Sequence, residues 1–246
     1  MARDFDRINV DIFDGDTLTD DYKRLNPVRS TPVLQLADGQ TLIESNAILW
    51  YLAAGTPYLP DDALDQAEVC RWLIYEQSDV MPMIGGLRFR LATGRFTADG
   101  DAAQTRPNGA HAVLQIIDHH LAARPFLAAD RYTIADTATY AYAHVAEEAG
   151  IDTSDCTRFR AWLERVSEQP GFVDDLAPYP RECLRPCRSV DLWMTPLTPR
   201  TPTGRAEPPR RHQKISGGRS RSGASSTLTR RLRAGDSGRG AGRGAA

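Results

Sequence analysis

The chain has 246 residues, with 30 Lys and Arg against 32 Asp and Glu and a formal net charge of −2. That balance averages two unlike parts: residues 1–180 carry 15 basic and 28 acidic side chains, and residues 181–246 carry 15 and 4. Nucleic acid is not an expected partner of the acidic larger part. No apolar run approaches the roughly 18 residues of a membrane span. The four cysteines, Cys70, Cys156, Cys183 and Cys187, form no C-x-x-C pair, which fits a reducing compartment better than a disulfide scaffold. The start, MARDFDRINV, is too polar and acidic for a signal peptide, so the expected location is cytoplasmic.

Residues 8–13 (INVDIF) alternate apolar and polar and predict a strand, broken by Asp14, Gly15 and Asp16. Residues 19–25 predict a short helix, with Thr19 as N-cap and Asp20 and Asp21 in its favourable first turn. Asn26-Pro27 stops it. Residues 33–36 and 41–43 read as two strands of a hairpin around Asp38-Gly39. Glu44-Ser45 then opens a helix in which Ile48, Tyr51 and Leu52 recur at helical spacing.

From Ala63 onward the period is helical. A long helix begins with Val69, Trp72 and Leu73, and Pro82 should kink or split it. Residues 95–109 read as a loop and the start of the next helix, whose apolar face is Ala110, Val113, Leu114, Ile117 and Leu121. Thr133 and Asp136 form a capping box at the start of a further helix, with Asp136 in a structural role. Residues 157–169 form the last helix, ended by Pro170-Gly171. The body is therefore a short α/β unit, βαββα, followed by an all-helical unit.

Residues 181–246 have no sustained apolar periodicity and are rich in Arg, Gly, Ser, Pro and Thr. The segment is expected to be a low-complexity, disordered basic tail. An out-of-frame read of a GC-rich gene has this composition, as does a disordered linker. A nucleic-acid-binding arm has charge in its favour but no interleaved aromatic residues.

Four stretches resemble the glutathione S-transferase family: LNPVRSTPVL (25–34), ESNAILWYL (44–52), TPYLPDD (56–62) and YTIADT (132–137). Their order matches a thioredoxin-like lobe over residues 1–60 followed by a helical lobe over 63–178. The resemblance implies cytosolic, bacterial-type transferase chemistry with glutathione as co-substrate, a small electrophile as second substrate, and a homodimer. It implies a cis peptide bond before Pro32, which would offer the main-chain N–H and C=O of Val33 to the cysteinyl backbone of glutathione as an added strand. Thr31 is a weaker candidate contact. Glu44 and Ser45 correspond to the pair that holds the γ-glutamyl end: the helix N-terminus and the Ser45 hydroxyl for the α-carboxylate, Glu44 for the ammonium. Ser45 alone also reads as an ordinary N-cap.

Met81, Arg88 and Phe89, with Arg90, lie on the helix that lines the electrophile pocket in this family. Arg29 stands where the family pattern has glycine, and the residue fits there if its φ is negative. It reads as a solvated arginine, or as a reach toward the glycyl carboxylate.

The family's lobe opens with a strand and helix whose junction carries the Tyr, Ser or Cys that serves the sulfur, and no residue here maps onto it. The catalytic residue is left unassigned, and the chain reads as a truncated lobe with impaired turnover. In the family's sheet the absent strand lies between residues 8–13 and 33–36, parallel to the former. A rival reading is a non-enzymatic assembly protein of the same fold. His111, His119, His120 and His144 form no helical ligand pair, so no metal is expected.

Overall fold

The computed structural model describes residues 4–96, 101–174 and 228–232, with backbone alone at 101–106 and 228–232. The chain divides into two compact units, residues 1–48 with 225–246, and residues 49–224.

The first unit is built on a four-stranded sheet in the order β1-β4-β2-β3. Its strands are β1 (Phe5–Asn9), β2 (Val33–Leu36), β3 (Thr41–Ile43) and β4 (Leu228–Leu232). Strand β1 begins and ends earlier than the alternation at 8–13 suggests. The reason is Asp11, whose carboxylate accepts from the N–H groups of Phe13 and Asp14, while its own N–H donates to Asp16. A side chain that captures backbone donors this way competes with the ladder and turns the chain. All five β1 side chains are exposed.

The hairpin forms over the expected residues. Strands β2 and β3 are antiparallel, with Val33 opposite Ile43, Leu34 opposite Leu42 and Gln35 opposite Thr41. Helix α1 (Asp20–Leu25) is capped as expected, the Thr19 side chain accepting from the Tyr22 N–H at 3.2 Å. Val10, Tyr22 and Val33 form the small core beneath the sheet, with Leu25 and Ile43 against it.

Between β1 and β2, where no neighbour was expected, lies β4 from the basic tail. It runs antiparallel to β1, with Ile8 opposite Thr229, and parallel to β2, with Val33 also opposite Thr229. The family pattern predicted a parallel neighbour for β1; the strand found there has the opposite direction. Strand β4 gives β1 and β2 a partner ladder, which removes the unpaired backbone that the sequence implied. Of the segment expected to be disordered, residues 181–227 and 233–246 lie outside the described residues.

Helix α2 (Ser45–Ala53) follows β3 in the chain. The second unit is helical: α3 (Ala63–Tyr75), α4 (Gly86–Ala92), α5 (Asp101–His120), α6 (Ile134–Ala143) and α7 (Thr157–Ser167). Asp62 caps α3, accepting from the N–H groups of Leu64 and Asp65. Between α3 and α4 the backbone is π-helical from Glu76 to Gly85, with Pro82 inside it. Proline removes a donor and crowds the preceding turn of an α-helix. The wider π turn absorbs both effects, so the rod is neither split nor ended at Pro82, and the flanking Glu76 and Gly86 keep right-handed helical angles.

Trp72, Ile84, Leu114, Ile117, Phe159 and Trp162 fill the core of this unit. Gly85 and Gly109 are small because neighbours press on them: a Cβ on Gly85 would collide with the Tyr142 ring, and one on Gly109 would come within 2.7 Å of Met83 Cε.

Asp136 is fully buried and binds four donors. Its Oδ1 accepts from Leu127 N–H and from Trp162 Nε1, both at 2.9 Å. Its Oδ2 accepts from the N–H of Thr133 at 2.9 Å and from the Thr133 hydroxyl at 3.2 Å. Burial pushes this carboxyl up, and the four donors pull it back. The capping box read from the sequence is therefore also the point at which α6, α7 and the 127–133 loop are tied together. Among the described residues, no helix is long and apolar enough to cross a membrane.

Candidate functional site

Thr31, Pro32, Val33, Glu44 and Ser45 all fall in or next to the β2–β3 hairpin. The Thr31-Pro32 bond is cis. Thr31 and Pro32 are half-buried, and Val33 is fully buried at the head of β2. Because Val33 stands opposite Ile43, the residues next to that pair, Pro32 and Glu44, both lie at the same end of the ladder. The two parts of the candidate site, 12 positions apart in sequence, thus flank one paired position of the hairpin.

Glu44 is exposed and has φ +70°, a left-handed conformation that costs a residue with a Cβ about 1–2 kcal/mol. The turn has a clear consequence. It ends β3 and starts α2 at the next residue, with the Glu44 carbonyl accepting the first helical bond from Ile48 N–H at 2.9 Å. Ser45, half-buried, becomes the first residue of the helix, where backbone N–H groups and the dipole favour an anion. Left-handed non-glycine residues concentrate at ligand clamps, where the surroundings hold them in place.

The loop leading into Pro32 is pinned by Asn26. Asn26 is fully buried. Its carbonyl oxygen accepts from Val28 N–H at 2.9 Å, and its amide donates to the Ser30 carbonyl at 2.7 Å and hydroxyl at 3.1 Å. The Tyr22 hydroxyl donates to the same Ser30 carbonyl at 2.7 Å. An asparagine before proline, with Ser four positions on, was the available signal. Arg29 has φ +61°, not the negative value its side chain would prefer. Arginine holds this left-handed geometry at a steric cost that glycine does not carry.

Strand β4 bears on Val33. The Leu36 N–H donates to the Gln40 carbonyl, on the β3 side. Backbone groups alternate sides along a strand, so Val33 and Gln35 direct theirs to the opposite side, where β4 lies with Thr229 and Arg231 opposite them.

In the helical unit, Met81 is half-buried in the π segment. Arg88 donates from Nε to Glu148 Oε2 at 2.6 Å and is only 11% exposed. Phe89 carries the Arg95 guanidinium over its ring at 4.6 Å, and Arg90 lies over Phe96.

Models of the glutathione S-transferase N-terminal and C-terminal domains match residues 3–54 and 80–170. Glutathione S-transferase 3 of Zea mays is 31% identical over 189 residues, covering 72% of this chain and 84% of the maize protein. The crystal structure of a possible glutathione S-transferase from Rhodopseudomonas palustris is 38% identical, with a TM-score of 0.62 over 70% of this chain and 78% of that one.

The chain belongs to the glutathione S-transferase family.

Not every relative is named as a transferase. Elongation factor 1-gamma of Artemia salina is 30% identical over 152 residues, 56% of this chain and 33% of that protein. In family terms, the β2–β3 hairpin with the head of α2 belongs to the thioredoxin-like lobe, and α3–α7 form the helical lobe.

Proposed function

We propose that this protein binds glutathione through the β2–β3 hairpin and serves, or descends from, a transferase that joins the glutathione sulfur to a small electrophile. The observation that supports this reading is the pairing of Val33 with Ile43, the neighbours in sequence of Pro32 and Glu44, together with the cis Thr31-Pro32 bond. The Ser45 hydroxyl and the free N–H groups at the start of α2 would receive the γ-glutamyl carboxylate, and Glu44 its ammonium. Thr31 would contribute to the cysteinyl unit, whereas the main-chain groups of Val33, which the resemblance offers to it, face β4. Met81, Arg88 and Phe89 would contribute to the electrophile side.

In the reaction, the thiol loses its proton to solvent or a base. The thiolate forms a C–S bond, and the leaving group departs with its electron pair. Holding both reactants supplies proximity. Turnover by this chain is proposed to be low, because β4 lies on the side to which Val33 directs its N–H and C=O. A peptide pairing there meets an occupied ladder.

The assembly reading has one observation in its favour, the likeness to elongation factor 1-gamma. A glutathione-affinity column separates the two. Retention of the full chain, elution by free glutathione and loss of retention in Ser45→Ala support the ligand site. Passage of the unaltered chain through the column overturns it in favour of assembly.

A further inference from the structure

In the helical unit, two segments far apart in the chain meet where α5 passes the start of α7. His111, on α5, directs Nε2 to Asp155 Oδ1 at 2.8 Å across 44 positions of sequence. The adjacent Cys156 precedes α7, and its Sγ lies 3.6 Å from the same oxygen. The three donor atoms all lie within 4.8 Å of one another. We propose that His111, Asp155 and Cys156 form a binding site for a thiophilic divalent cation of the Zn2+ type, completed by solvent.

The donor set is the first argument. Thiolate, imidazole and carboxylate together suit Zn2+ and disfavour the hard, all-oxygen chemistry of Mg2+ and Ca2+. Geometry is the second. Bonds of about 2.0–2.3 Å in a tetrahedral site separate donor atoms by roughly 3.3–3.7 Å. The Sγ–Oδ1 distance already has that value. The pair now hydrogen-bonded at 2.8 Å has to open slightly, and His111 and Cys156 have to close from at most 4.8 Å. The turn that carries two of the donors is fixed, with Cys156 N–H donating to the Thr153 carbonyl at 3.0 Å.

The third argument is charge. Two carboxylates flank the position, Asp155 with Oδ1 3.6 Å from Sγ and Asp118 at the first N–H groups of α7, and a cation offsets their charge. The N-terminus of α7 would otherwise repel a cation, but Asp118 already accepts from its Arg158 and Phe159 N–H groups at 2.7 and 2.9 Å. Asp155 is exposed and leaves a direction open for water. On binding, the thiol gives up its proton to solvent and the sulfur coordinates as thiolate; nothing is oxidised or reduced.

The test is titration of the reduced full chain with Co2+ in the absence of glutathione, which binds metals itself. One equivalent is expected to produce thiolate-to-metal charge-transfer absorption and the intense visible bands of a tetrahedral centre, both removed by Zn2+. The bands are lost in Cys156→Ser and persist in the Cys183→Ser/Cys187→Ser double variant. Since Cys156 is buried, two further variants guard against misfolding: His111→Ala and Asp155→Ala, each expected to weaken binding about tenfold or more. No absorption in the unaltered chain, absorption that survives Cys156→Ser, or unchanged affinity in both alanine variants overturns the proposal.

Discussion

Val33 stands opposite Ile43 on one side and opposite Thr229 on the other. One residue thereby joins the hairpin of the candidate site to a strand contributed by the far end of the chain. Alternation of backbone groups makes this a sharp prediction. In a chain ended at residue 224, the Val33 and Gln35 amides lose hydrogen-exchange protection, because they face β4. The Leu34 and Leu36 amides, which face β3, keep theirs. Exchange measured by NMR on both chains checks it, and equal loss at all four positions would mean that the whole hairpin had opened.

Arg29 pays for a left-handed conformation. Replacing it with glycine removes about 1–2 kcal/mol of steric cost and adds about 0.5–1 kcal/mol of unfolded-state entropy. Arg29→Gly should therefore stabilise the protein, by about 0.5–1 kcal/mol, read as a shift in urea midpoint at unchanged slope.

Most of the hairpin was legible from the sequence, since Asp38-Gly39 and the strands on either side form a local signal. The caps at Thr19 and Thr133 were legible for the same reason: each is closed by residues two or three positions away. The end of β1 was not, because Asp11 redirects the chain through side-chain bonds that a hydropathy pattern does not register. Strand β4 was invisible, since LTRRL sits in a basic, Gly- and Ser-rich segment and pairs with β2 residues 196 positions away. The positive φ at Glu44 and Arg29 is likewise imposed by the surroundings, against each residue's own preference.

Asp136 should be the most sensitive polar position in the helical unit. Asp136→Ala leaves the N–H groups of Leu127 and Thr133 and the indole of Trp162 without their acceptor in a dry interior. At about 1–3 kcal/mol for each buried group left unsatisfied, a loss of about 3 kcal/mol or more is expected in denaturant unfolding.

His120 gives stability a pH dependence. Burial pushes its imidazole below the ordinary 6.5, against the opposing hydrogen bond to the Leu127 carbonyl at 2.9 Å. Its ring meets Trp72 edge-on at 4.8 Å between centroids. The folded state thus prefers the neutral ring, while the unfolded chain takes up a proton near 6.5. This contribution is fully present above that pH and declines as pH falls through the lowered folded-state value. Urea midpoints measured from pH 7.5 down to 5.5 should fall less steeply in His120→Gln than in the unaltered chain.

Gly85 should not tolerate a side chain. Its missing Cβ is where the Tyr142 ring sits, so Gly85→Ala forces α6 and the π segment apart. A cost of about 1–3 kcal/mol follows from overpacking, and Tyr142→Ala in the same chain should recover part of it.

The central claim is that the hairpin with the head of α2 grips glutathione. Isothermal titration of the full chain with reduced glutathione tests it most directly. The expected result is saturable one-to-one binding that Ser45→Ala weakens about tenfold, or 1.4 kcal/mol, with folding unchanged by circular dichroism. Absence of binding, or an affinity unaltered in both Ser45→Ala and Glu44→Ala, would contradict it.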